Sequence, residues 1–311
     1  MNNLNIINQQ METRETVING EMYARFIAYL DAAPKTVETY TRDLRQFANY
    51  MAMNGITQPT RDDILSYREA LKVDHKPSTV QNYIVAVRQF FRWTDQEGIY
   101  PNVADHIKGA KLDKEHKKDY LTSAQVKEIL SNMDTTTTKG LRDYAVMVTM
   151  ITGGLRTVEI SRANVEDLRA AGDSMALFVQ GKGREERTEY IKISQPVEKA
   201  IRAYLQARGK VSGRDPLFAS ESNHNKGGRM TTRSISRLAK TTMQAAGYDS
   251  ERLTAHSLRH TAVTLSILAG KDITEVKQFA RHANIQTTLI YNHALEKEKN
   301  TCAAAVSAAI F

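Results

Sequence analysis

The chain has one cysteine, Cys302, in 311 residues. An internal disulfide is therefore impossible, and the usage fits a reducing compartment. No apolar run approaches the ~20 residues needed to span a bilayer, so no membrane association is expected. Residues 1–19 are polar and rich in Asn and Gln. They lack the basic start and apolar core of a secretory signal, and the expected location is the cytoplasm. There is no carboxylate cluster and no His/Cys set at metal-ligand spacing. Neither a metal nor another cofactor is expected. Internal repeats are absent, and the only low-complexity stretch is Thr135 to Thr138.

What is present describes a globular protein. Hydrophobic residues make up 41% and charged residues 25%, and the length suits two ordinary domains. The net charge is +8. Most of that excess lies in residues 119–311, with 27 Lys and Arg against 20 Asp and Glu, while residues 1–118 carry 16 against 15. A polyanionic partner fits this balance, as does a merely solvated basic surface.

The pattern along the chain is mainly helical. Residues 1–18 read as a flexible tail and 19–101 as a bundle of about four helices with no strand signal. Tyr40, Leu44, Phe47 and Met51 recur at helical spacing until Asn54-Gly55. Thr60 and Asp63 form a capping box that opens a short helix ending before Pro77. Ser78 is placed to cap the next helix, whose apolar face is Val80, Tyr83, Ile84, Val87 and Phe91 and which Gly98 ends. Residues 102–119 read as a basic linker. Lys108, Lys111, Lys114, Lys117 and Lys118 lie there, suited to a phosphate backbone or simply to water. A second domain, 120–300, opens with a Thr122/Gln125 capping box. Its helix bearing Leu141, Tyr144, Ala145 and Val148 breaks at Gly153-Gly154. The clear strand signal is Ala176 to Gln180, then Gly181-Lys182-Gly183, then Arg187 to Ile193, a hairpin or part of a small three-stranded sheet. Helices are predicted at about 196–208, 232–246, 256–269, 272–282 and 285–292. Residues 301–311 form an Ala-rich, largely apolar tail.

The chemistry concentrates near the end. His256 and Arg259 are three apart at a helix start, so they share a face beside unpaired backbone N–H groups. Arg156 follows the glycine break, where the backbone can turn its guanidinium inward. Two arginines from separate elements can hold both non-bridging oxygens of one phosphate, and neither is a practical base. Glu159 either orients Arg156 or is a plain helix-start carboxylate. Lys182, between two glycines, can reach into a groove, with Lys192 and Arg184 as neighbouring alternatives. His282 and Tyr291 are nine residues apart, and a break near Asn284 would put Tyr291 on its own short helix, anchored by Leu289 and Ile290. Two arginines, two histidines, a lysine and a tyrosine suit one task, holding a phosphodiester in a cationic cage while a phenol attacks it.

This set resembles the tyrosine recombinases (phage integrase family), especially the Xer-type branch, over about residues 20–295. The resemblance rests on Gly154-Leu155-Arg156-x-x-Glu159, on His256-x-Leu258-Arg259-His260, and on Arg281-His282-x-Asn284-x-x-Thr287-Thr288-x-x-Tyr291. It implies a SAM-like helical core-binding domain and a mostly helical catalytic domain that close around duplex DNA. It implies site-specific DNA cleavage and rejoining through a 3′-phosphotyrosine, without metal or ATP. Arg156, Lys182, His256, Arg259, His282 and Tyr291 would be catalytic, with Glu159 in support. Lys182 would be the general acid and Tyr291 the nucleophile, its proton passing to His256 or to water. The implied partners are a core recombination site, a homotetramer built as a pair of dimers, and an accessory or partner recombinase. The tail at 301–311 would dock on a neighbouring protomer, or else pack in cis or fray, and integration of a mobile element and chromosome-dimer resolution are both open as the role. Topoisomerase-like relaxation on the same residues, a catalytically idle DNA-binding protein on the same scaffold and a helix-turn-helix regulator are the other readings. Arg281 stands where the family usually has glycine, and a DNA contact is the expectation for it.

Overall fold

A computed structural model describes residues 19–111, 119–181, 186–298 and 301–311. The expected tail at 1–18 and the positions Lys114, Lys117, Lys118, Lys182 and Arg184 lie outside the described residues. The chain divides into two compact units, Met1–Lys114 and Glu115–Phe311.

In the first unit the described elements are four helices: α1 (Gly20–Tyr29), α2 (Pro34–Met53), α3 (Arg61–Asp74) and α4 (Pro77–Gln96). Their apolar stripes meet in an aromatic core. Phe26 and Phe90 pack edge to face, as do Phe47 and Phe91, the arrangement that ring quadrupoles favour. Thr60 and Asp63 close the expected capping box at the start of α3. The start of α4 differs from expectation. Pro77 takes the first helical position and Lys76 the cap, leaving Ser78 inside the helix. Proline has no N–H to satisfy and its fixed φ suits that position. Lys108 and Lys111 are exposed beyond α4.

The second unit is built on α6 (Thr138–Gly153), buried on nearly every side. Around it lie α5 (Ser123–Ser131), α7 (Thr157–Arg162), α8 (Gln195–Arg208), α9 (Thr232–Ala245), α10 (Ala255–Leu268), α11 (Ile273–Ala280) and α12 (Gln286–Glu298). A last helix, α13 (Cys302–Ile310), follows. Helix α6 packs on α8 and α10, and α10 carries α11 and α12. Thr122 and Gln125 cap α5 as expected. The sheet has three antiparallel strands in the order β1 (Leu168–Ala171), β2 (Ser174–Val179) and β3 (Glu189–Lys192). Leu177 pairs with both Leu168 and Ile191. The strands β2 and β3 are separated by residues 180–188, so the connection is longer than a tight glycine turn. No helix among the described residues is long and apolar enough to cross a membrane.

Candidate active site

The break after α6 builds the first wall of the site. Gly154 is left-handed, with φ +55°. A Cβ there would sit 3.3 Å from Phe279 and 3.4 Å from Ala262, so glycine serves both the turn and the close approach. The turn delivers Arg156 to the cap of α7. Its backbone N–H donates to Glu159 Oε2 at 2.8 Å and its guanidinium to Oε1 at 2.9 Å.

The second wall is α10. His256 is exposed near its start, while Arg259, one turn deeper, is 1% exposed. Arg259 donates to the Gly154 carbonyl at 2.6 Å and to the Ala280 carbonyl. Burial pushes its guanidinium down to about 10, and the charges of Arg156 and Arg281 act in the same direction. It remains a cation at neutral pH.

The third wall is the turn from α11 into α12. His282 is buried, with Nδ1 lying 2.9 Å from the Thr288 hydroxyl oxygen. Burial lowers it to about 4, with further lowering from Arg259, Arg156, Arg281 and His256. Imidazole, not imidazolium, therefore stands here at neutral pH. Tyr291 is 7% exposed and packs on Val263, Val276 and Ala280. Burial raises its phenol to about 12, against the opposing pull of Arg259 and Arg156. Among the described side chains of α12, Thr288 and Tyr291, one turn apart, are buried. Ile290 is exposed and does not anchor the helix, because the i, i+3 spacing of Thr288 and Tyr291 turns it outward.

One ring belongs to a quoted motif but has no role assigned from the sequence. His260, one turn beyond His256 on α10, is buried and edge-on to His256 with centroids 4.5 Å apart. Its other neighbour is the Tyr291 ring at 5.0 Å, and His282 lies beyond at 6.3 Å. The i, i+4 pair of histidines was the available signal.

Arg281 does not lie where a DNA contact would put it. Its side chain is 5% exposed and its guanidinium turns inward to Glu159 at 3.0 Å. Glu159 is fully buried between Arg156 and Arg281. Burial alone would raise its carboxyl, but Arg281, the Arg156 N–H and the Arg156 charge together hold it below the ordinary value. The structure thus brings together Arg156, Glu159, His256, Arg259, His282 and Tyr291. A cavity of about 580 Å³ opens against Arg156, Arg281 and His282, and one of about 630 Å³ against Arg156 and His256. Among the described residues no group of three or more His, Cys, Asp or Glu side chains could hold a metal.

This combination of a helical scaffold with an Arg/His/Tyr cluster is that of a tyrosine recombinase. The phage integrase family matches residues 119–298, and the phage integrase N-terminal SAM-like domain matches residues 23–98. The chain belongs to the phage integrase family of site-specific tyrosine recombinases. Tyrosine recombinase XerC of Herpetosiphon aurantiacus is 32% identical over 283 residues, 86% of this chain and 89% of that protein. Tyrosine recombinase XerC of Caldanaerobacter subterraneus subsp. tengcongensis is 32% identical over 196 residues, 63% of this chain and 52% of its own length. In fold, the chain resembles a crystal structure of the XerH site-specific recombinase bound to palindromic difH substrate in a post-cleavage complex. The TM-score is 0.73 at 19% identity, covering 89% of this chain and 81% of that one.

Proposed function

We propose that this recombinase cleaves and rejoins duplex DNA at a core recombination site through a covalent 3′-phosphotyrosine. The observation that carries the reading is the convergence of Arg156, Arg259 and His282 on the side of Tyr291, with the carboxylate of Glu159 held back between two arginines. The guanidinium groups of Arg156 and Arg259 grip the non-bridging oxygens of the scissile phosphate. They stabilise the charge that builds there in the transition state more than the charge of the ground state. With Nδ1 accepting from the Thr288 hydroxyl, His282 presents Nε2–H as a third donor.

The Tyr291 oxygen bonds to phosphorus, and the bond from phosphorus to the 5′ oxygen breaks. The phenolic proton leaves to His256 or water, and Lys182 protonates the departing 5′ oxygen. A 5′-hydroxyl of another strand then attacks the phosphotyrosine, its proton returns along the same groups, and Tyr291 is released. The ester conserves the bond, so no nucleotide is consumed. Because Arg259 and Tyr291 are nearly covered, substrate entry displaces part of the contact between α12 and α10. Lys108, Lys111, Lys114, Lys117 and Lys118 neutralise phosphates, and the two units close around the duplex. Four protomers act together in the cytoplasm on nucleoid DNA, with an accessory or partner recombinase, and α13 of each docks on its neighbour. The related XerH is crystallised with its difH substrate, which supports DNA as the substrate here.

The test is covalent trapping on nicked duplexes drawn from a sequence library. Wild-type protein is expected to form an adduct that resists denaturation and maps to Tyr291. Tyr291→Phe is expected to bind the same DNA and form none. An adduct in the Phe variant at another residue rules the reading out.

A further inference from the structure

Arg281 occupies the left-handed region, with φ +53°. Among the described residues only it and His106 do so without being glycine. A side chain in that conformation is strained, and such strain persists where the surroundings require it. What the side chain does here is specific. Its Nη1 donates to the Phe279 carbonyl at 2.9 Å. Its Nη2 donates to Glu159 Oε2 at 3.0 Å and to the Gly154 carbonyl at 3.2 Å. Gly154 is itself left-handed and also accepts from Arg259. Two left-handed turns therefore face each other. One ends α6 and delivers Arg156. The other ends α11 and delivers His282. One guanidinium joins them.

Helix capping does not account for this arrangement. Glycine would make the same turn without strain. The backbone bonds that end α11, from Arg281 N–H to Gln278 and from His282 N–H to Lys277, need no side chain. Among the described residues the Nε of Arg281 is buried with no partner, a cost that a glycine cap would avoid. Glu159 meanwhile faces two cations, and Arg281 takes up Oε2 while the Arg156 guanidinium holds Oε1. The shared carboxylate leaves the remaining edge of the Arg156 fork for a phosphate.

We propose that Arg281 is a positioning residue that ties the His282 turn to the Arg156 turn through Gly154 and Glu159, setting the spacing of the phosphate-gripping groups. This rests on the recombinase reading above. A misplacement of about 1 Å at such a site costs on the order of 100-fold in rate, so a tie between the two turns acts on cleavage rather than on DNA affinity.

The experiment uses the full chain and nicked suicide duplexes captured in the trapping screen. Arg281→Gly keeps the backbone turn and removes the guanidinium. The variant is expected to stay folded and to bind half-sites close to wild type, with a Tm lowered by loss of one cation beside the buried Glu159, while single-turnover cleavage, read well below that Tm, falls roughly 10- to 100-fold. The acid limb of its pH–rate profile moves to higher pH, because one of the cations around His282 is gone while Arg259, Arg156 and His256 remain. Adding Glu159→Gln to Arg281→Gly is expected to cost little more than the worse single change, since both break one tie. If Arg281→Gly does not fold, Arg281→Lys takes its place in the same assays. Wild-type cleavage rate in a folded variant, rate loss only in step with loss of folding, or fully additive penalties each overturn the proposal. Absence of any adduct with wild-type protein instead overturns the recombinase reading itself.

Discussion

At the scale of single residues, the site is a balance of charge against burial. Arg156 and Arg259 come from separate elements, and under the proposed function each is expected to act in the transition state. Arg156→Ala and Arg259→Ala should each slow single-turnover cleavage by roughly 100- to 1000-fold, measured on the trapped duplex. His282 gives a pH prediction. Its ordinary value of 6.5 falls to about 4 in the folded chain. Below pH 6.5 the unfolded chain takes up a proton that the folded chain refuses, so stability drops as the pH falls from about 6.5 to about 4. Glu159, held below its ordinary 4.5, loses its contribution only under more acidic conditions. Thermal unfolding of His282→Gln should therefore be flatter than wild type through the upper window, and equal slopes would remove His282 from this role.

At the scale of elements, the turns matter more than the helices they join. Gly154→Ala puts a Cβ into the left-handed region and against Phe279 and Ala262. The conformation alone costs ~1–2 kcal/mol, so urea unfolding should show at least that loss, with cleavage falling as Arg156 shifts. The signals that were legible in sequence are local ones. Thr60/Asp63 and Thr122/Gln125 are read from residues three apart and appear as capping boxes. The break at Gly153-Gly154 is read from two adjacent glycines. The approach of His256, Arg259, His282 and Tyr291 was legible because the three motifs carry a resemblance, not because spacing alone brings them together. What escaped depends on distant partners. Strand β1, Leu-Arg-Ala-Ala, has little strand propensity and exists by pairing with β2. The inward course of Arg281 has no local cue, since a left-handed arginine is explained only by Glu159 and Gly154, over a hundred residues upstream. A role for His260 is not legible in the sequence, because nothing there says that a tyrosine ring lies against it.

At the scale of the whole molecule, two features carry predictions. The charge of +8 predicts binding that weakens as salt rises, with log affinity falling by about 0.9 per phosphate neutralised for each decade of salt. Helix α13 is the other. Val306 and Ile310 are exposed, and Phe311 is 101% exposed. Burying each large side chain in a neighbour could contribute roughly 1.5–3 kcal/mol, less the ordering of the segment. Deleting residues 301–311 should leave half-site binding intact, weaken cooperative binding to a full site and abolish strand exchange. Gel-shift titration on half and full sites reads both effects, and unchanged cooperativity would return the segment to a passive end.

The covering of Tyr291 has a consequence for how the free protein meets small reagents. Reagents that nitrate or iodinate tyrosine act through the phenolate and need an open ring. Tyr29 and Tyr190 are about half exposed, at 51% and 47%, whereas Tyr291 is 7% exposed with its phenol pushed up to about 12. Labelling off DNA should therefore mark the first two and pass over the third. The covering thus leaves the Tyr291 oxygen protonated and out of reach of such reagents in the free protein.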